Sequence, residues 1–191
     1  MTGMIAMKSF AAALCLLASP VLASDACHDL WFTRNAVIDR AGYCFGSPLG
    51  RAVFNNGDCI GKSVSLLPPA ERIVALVKEM EARFGCRVNN KQTYLDLDDL
   101  FLRHQLWDLP VRDEFESACL GWLGPVTGLR AGHRPEAPLV GQIVAGDYVS
   151  YSHIPVGSWT YVTTSGPDWQ ATSGGWLDTS LVQEQCREVA G

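Results

Sequence analysis

Trp169 is the side chain whose neighbours best expose it to another molecule. It lies in Gly166-Pro167-Asp168-Trp169-Gln170, a turn-rich stretch between two strand-like runs. An indole in such a loop stays wet unless something covers it, and Tyr151 and His153 are expected to flank it from the next loop. These three residues form the candidate ligand-binding set. An aromatic platform of this kind suits a sugar face or a peptide stem. The competing expectation is that Trp169 folds back over the end of the β unit or against the helical unit.

Catalytic chemistry finds less support. His28, His104, His133 and His153 are isolated, without a His-Glu-x-x-His pattern, and read as surface or capping imidazoles. Ser150, Ser152 and Ser158 lack the Gly-x-Ser-x-Gly elbow that would present a nucleophile. Glu114 and Glu116, two positions apart, would not face each other across a sugar. Asp96, Asp98 and Asp99 invite a calcium reading, but the glycine and the terminal glutamate of a calcium loop are out of place, so a solvated acidic face is predicted. No catalytic residue, metal ligand or cofactor is expected.

The elements that would hold Trp169 belong to a chain of 191 residues, 48% hydrophobic and 18% charged, enough apolar material for genuine cores. A net charge of -5 gives none of the basic field that nucleic acid requires. Residues 1–23 read as a secretory signal: Lys8, the apolar run Phe10 to Leu17, and small residues before a cut after Ala23, with Met1 or Met7 as the start. That run is too short to span a bilayer, and no later window is long enough. Cleavage would remove Cys15 and leave six of the seven cysteines, none in Cys-x-x-Cys spacing. Disulfides in a periplasmic or secreted protein follow, although six cysteines allow fifteen pairings.

Residues 24–86 predict three helices. Asp29 would cap the first, from Leu30 to about Ala41, with Gly42 ending it. Ser47-Pro48 would open a second, running to Phe54. Pro68-Pro69 would open a third, whose Ile73, Val77, Met80 and Phe84 share one face before Gly85. If the first and third run antiparallel, Cys27 meets Cys86 and leaves Cys44 for Cys59. Residues 87–118 read as a partly structured connector. Residues 119–191 hold eleven of the 18 glycines, four tryptophans and no phenylalanine, a β composition.

Leu30 to Cys59 resembles a YARHG domain, through Arg34-Asn35, Arg40, Gly42-Tyr43, Phe45 and Phe54. Ile38-Asp39-Arg40-Ala41-Gly42 stands where that family has Tyr-Ala-Arg-His-Gly, so no role of its histidine transfers. Arg34 and Arg40 are expected to pair with acidic neighbours. The C-terminal part resembles a bacterial SH3-like (SH3b) domain through Leu129 to Gly132, Gly141 to Val149, Trp159 to Val162 and Gly174 to Leu181, with His133-Arg134-Pro135 departing from that family's usual turn. The resemblance implies a five-stranded barrel with Trp159 and Trp176 in its core. Cys119 and Cys186 bracket it, and a bridge between them would staple the closed sheet.

Together these features resemble DUF4453, an exported family of Gram-negative bacteria. The implied fold is α+β: a small helical YARHG-like unit followed by a disulfide-stapled, SH3-like all-β barrel. The family implies no activity; the resemblance of the C-terminal part to SH3-like domains implies non-catalytic binding of peptidoglycan, as a cell-wall peptide or glycan, or of an envelope protein. Two other classes stay open, a cell-envelope hydrolase or its regulator, and a structural assembly factor.

Overall fold

The computed structural model describes residues 21–182 and 185–191. The expected leader therefore lies, through residue 20, outside the described residues. Helix α1, Val21–Arg40, is buried on almost every side along Leu30, Trp31, Phe32, Thr33, Ala36 and Val37. A helix so enclosed is a core element. It ends at Gly42, whose φ of 88° favours glycine and whose absent side chain leaves room for Ile60.

The predicted Asp29 cap is corrected by this helix. Asp29 lies well inside α1 and is 1% exposed, because α1 starts before Leu30 and buries Ala26 and Cys27 as well. Helix α2, Pro48–Val53, and helix α3, Pro68–Arg83, form as predicted. Ser47 Oγ accepts the Gly50 N–H at 3.1 Å at the head of α2, and Val74, Val77 and Met80 make the buried stripe of α3. The Cys27–Cys86 bridge joins the first half of α1 to the residues just after α3, and Arg34, further along α1, pairs with the earlier Glu81, so the two are antiparallel; Cys44 bonds Cys59. Phe32 and Phe45 both stack on Phe54 between these elements, with centroids 5.6 and 4.7 Å away.

One turn of helix, α4 (Leu100–Arg103), leads toward the sheet. The sheet has seven strands: β1 Arg112–Trp122, β2 Thr127–Arg130, β3 Leu139–Ile143, β4 Tyr148–His153, β5 Trp159–Ser165, β6 Ala171–Asp178 and β7 Cys186–Ala190. Neighbours are antiparallel, in the order β3-β2-β6-β5-β4-β1-β7. β1 continues across the expected boundary between 118 and 119. A closed five-stranded barrel is not what forms, because β1 and β7 add to the edge of β4 and leave β3 and β7 at opposite ends. The Cys119–Cys186 bridge consequently ties neighbouring strands together.

One face of the sheet carries a core of Cys119, Trp122, Leu129, Ile143, Val149, Val162 and Leu177. β3 crosses close over β6 there: a Cβ on Gly141 would stand 2.7 Å from the Gly174 carbonyl oxygen. The opposite face presents Tyr161 and Trp176 to Leu106, so the segment after α3 covers the sheet. Trp176 is buried as expected, and Trp159 is half-buried at the margin of the same cluster.

A polar cleft above a buried ion cluster

Register alone makes a trough in the sheet. Ala190 lies opposite Ala118, Ala118 opposite Ser150, and Ser150 opposite Thr163, a row of short side chains across β7, β1, β4 and β5. Neighbouring rows carry Leu120 and Tyr148 on one side and Tyr161 and Trp176 on the other. Short side chains between long ones leave space, and a cleft of about 560 Å³ opens here. The segment Asp96–Asp99 walls one side and Trp169 stands at another. A bulge in β1 between Arg112 and Ser117 alters the local pairing, and Arg112 forms an ion pair with Glu116 in the lining.

The bottom of the cleft is a buried cluster of charge. Arg103, 1% exposed, donates from Nη1 and Nη2 to the two oxygens of Asp29 at 2.7 and 2.6 Å. Its Nε reaches both oxygens of Asp99 at 2.8 Å, one helical turn earlier. Tyr161 donates its hydroxyl to Asp99 at 2.8 Å and lies under the guanidinium, 5.3 Å from the ring centroid. His153 Nε2 is 2.8 Å from Asp29 Oδ2, and its Nδ1 is 3.2 Å from Ser152 Oγ. The cluster thus binds α1, α4, β4 and β5 together.

Electrostatics fixes the protonation states. Burial pushes Asp29 toward the neutral acid, but Arg103 and then His153 outweigh it and hold its carboxyl far below the usual carboxylate range. Burial likewise disfavours charge on Arg103, and Asp29 and Asp99 overcome it, so the guanidinium is firmly charged. For His153, burial lowers the pKa more than Asp29 raises it, and Arg103 and Arg112 add to the lowering. The imidazole is neutral at pH 7, with Nε2 between Asp29 and Arg103 Nη2 and Nδ1 beside the Ser152 hydroxyl. Burial, with Asp99 beside it, pushes the Tyr161 phenol well above its ordinary value.

Of the three predicted ligand residues, Trp169 fits its expectation most closely. It is 51% exposed, in the turn between β5 and β6, with a φ of 60°. The flanking residues need correction. The ring beside Trp169 is Tyr148, 5.3 Å between centroids. Tyr151 borders the cleft but lies within β4 and packs against the core of the other sheet face. His153 also borders the cleft, yet it is 7% exposed and committed to Asp29, not a surface or capping imidazole.

Other side chains divide similarly. Asp96 and Asp98 form the exposed acidic face that the sequence predicts, whereas Asp99 is buried against Arg103. Arg34 pairs with Glu81 at 3.0 Å, but Arg40 donates to the Leu106 and Trp107 carbonyls at 2.6 and 2.8 Å. Glu114 is paired with Arg83. Sequence reasoning missed Asp29, Asp99, Arg103 and Tyr161 as a unit. The available signal was Asp99 four positions before Arg103, with an arginine set against the apolar Leu100-Phe101-Leu102 run.

Among the described residues, no group of three or more histidine, cysteine or acidic side chains could hold a metal ion. No described helix is long and apolar enough to cross a membrane. The three disulfides fit a secreted protein.

No curated protein and no solved structure matches the chain. Two family matches cover it instead: residues 9–82 match the YARHG domain, and residues 85–191 match the domain of unknown function DUF4453. The two matched regions meet at the ion cluster, Asp29 lying in the first and Asp99, Arg103, His153 and Tyr161 in the second. Since the second match takes in more than half of its residues, the chain belongs to the DUF4453 family, with a YARHG domain ahead of it.

Proposed function

We propose that this is a non-catalytic periplasmic or secreted binding protein that takes the peptide or glycan of the cell wall into the cleft beside Trp169. The observation that carries the reading is a half-exposed indole at the border of a roomy polar cleft, above a rigid floor. Ligand sites characteristically combine an aromatic surface with a few fixed polar groups, and the hydroxyls of Ser150 and Thr163 in the trough supply such groups. The SH3-like reading of the C-terminal half belongs to the same proposal. It is supported by the order of the glycine-punctuated strands β2 to β6, to which β1 and β7 are additions.

The test is co-sedimentation of the mature protein with insoluble peptidoglycan. Wild type should pellet, and Trp169→Ala should stay in the supernatant while melting at nearly the same temperature. Equal pelleting of the two proteins, or none of wild type, refutes the reading.

A second reading, an envelope hydrolase, is favoured by one observation: Ser152, His153 and Asp29 form a hydrogen-bonded chain bordering the cleft. Against it, Arg103 Nη2 is 2.9 Å from His153 Nε2 and opposes the imidazolium that a general base must become. Labelling by a fluorophosphonate that is lost in Ser152→Ala would support the hydrolase. An unlabelled wild-type protein would remove it.

A further inference from the structure

We infer that the cleft selects a peptide presenting a cation, a primary ammonium or a guanidinium, and that Asp96 and Asp98 attract it. This rests on the cleft being a binding site, as proposed above, and adds the charge of what it accepts.

The lining has a surplus of negative charge at two depths. At the floor, Asp29 and Asp99 face a single guanidinium, that of Arg103. At the rim, Glu116 is offset by Arg112. Asp96 and Asp98 are exposed in the wall, and neither makes an ion pair among the described residues. Among the described residues no other charged side chain lines the cleft, so three carboxylates there are left without a counter-charge. An anionic ligand would meet that field directly, whereas a cation would be drawn in.

A separate observation points to a polar ligand group. Ser165 is 6% exposed, and its hydroxyl oxygen has no hydrogen-bond partner, although the residue lines this same cleft. Buried hydroxyls are normally satisfied, and an orphan at the border of a cleft marks a place where a bound donor or acceptor completes the set. A primary ammonium brings three donors and no acceptor, a complement to carboxylates and a hydroxyl oxygen. The exposed face of Trp169 also attracts cations through its ring quadrupole.

The experiment is a nuclear magnetic resonance titration of the mature protein with two blocked peptides, N-acetyl-Ala-Lys-Ala-amide and the same peptide acetylated on the lysine amine. At low salt the free amine should bind about tenfold more tightly, and the difference should shrink at roughly 0.3 M salt, where the screening length is only several ångströms. In the double variant Asp96→Asn, Asp98→Asn most of this preference should disappear, with melting unchanged because both positions are exposed. Equal affinity of the two peptides for wild type, binding of neither, or a preference undiminished in the double variant overturns the inference. The two proposals fail separately. Trp169-dependent pelleting without an amine preference sinks only the cation inference, and an amine preference without such pelleting sinks only the cell-wall reading.

Discussion

Replacing Arg103 by methionine keeps an unbranched apolar stem and removes the charge that neutralises Asp29 and Asp99. Both carboxylates are almost fully buried and bonded to that guanidinium, at 2.6 to 2.8 Å. Breaking a buried pair from one side costs about 3–5 kcal/mol, because the remaining charge has neither water nor partner. In a domain of this size that corresponds to a fall in melting temperature of roughly 6–20 °C. The loss also has a pH signature. In wild type the Asp29 pKa is depressed, so its stabilisation is present above the ordinary value of 3.8 and is lost only as pH falls through the lower folded value. Between pH 5 and 8 wild type is therefore indifferent to Asp29. In Arg103→Met, burial without a guanidinium raises the Asp29 pKa, and stability is lost as pH rises through it. The gap between the two proteins should be widest at pH 8 and narrower at pH 5, where a protonated His153 can also pair with Asp29. Thermal melts followed by circular dichroism at both pH values measure this. Adding Asp29→Asn to the variant should recover part of the loss. A variant that melts within a degree of wild type at pH 8, or a gap that widens on acidification, refutes the assignment of Arg103 as the charge that holds the units together.

The folded His153 pKa lies below its ordinary value of 6.5, so the unfolded chain takes up a proton that the folded one refuses, and stability should fall as pH drops below about 6.5. His153→Gln should flatten that slope in melts between pH 7.5 and 5, and an unchanged slope would assign it to another group. The Cys119–Cys186 bridge closes a separation of 67 residues, for which chain entropy gives on the order of 4 kcal/mol. Paired alanines at these positions should lower the denaturation midpoint by a corresponding amount, and peptide mapping of the native protein should recover this bridge together with Cys27–Cys86 and Cys44–Cys59. Gly141→Ala should destabilise by about 1–3 kcal/mol, as overpacking does, because its methyl group meets the β6 backbone. A neutral result in urea titration would mean that β3 can lift away from β6.

Sequence was sufficient wherever the controlling interaction is short. Ser47-Pro48 opening α2, Pro68 opening α3, Gly42 and Gly85 after their helices, and the Gly146-Asp147 turn ahead of β4 are all local signals. In that turn Gly146 has a φ of 95° and Asp147 accepts the Val144 N–H at 2.8 Å, so the residues that specify the bend also satisfy its backbone. The cysteine pairing was accessible as well, because one assumption about antiparallel helices reduced the choices. Trp169 was found through its loop, whose exposure follows from the turn residues around it.

Asp29 could not be read in this way. As a polar residue before an apolar helix it has the local form of a cap, and only Arg103, 74 positions away, turns it into a buried ion. The open sheet has the same origin. Glycine turns separate strands locally, but the choice between closing against β3 and adding β1 and β7 to an edge depends on pairings that no short window contains. The sequence by itself determined α2, α3, the glycine-marked ends of α1 and α3 and the exposure of Trp169, since these depend on backbone preferences and on residues a few positions apart. Tertiary structure alone decided the trough, the buried cluster and the placing of His153 beneath the cleft, because burial and Coulomb energy depend on distances in space that order along the chain does not encode.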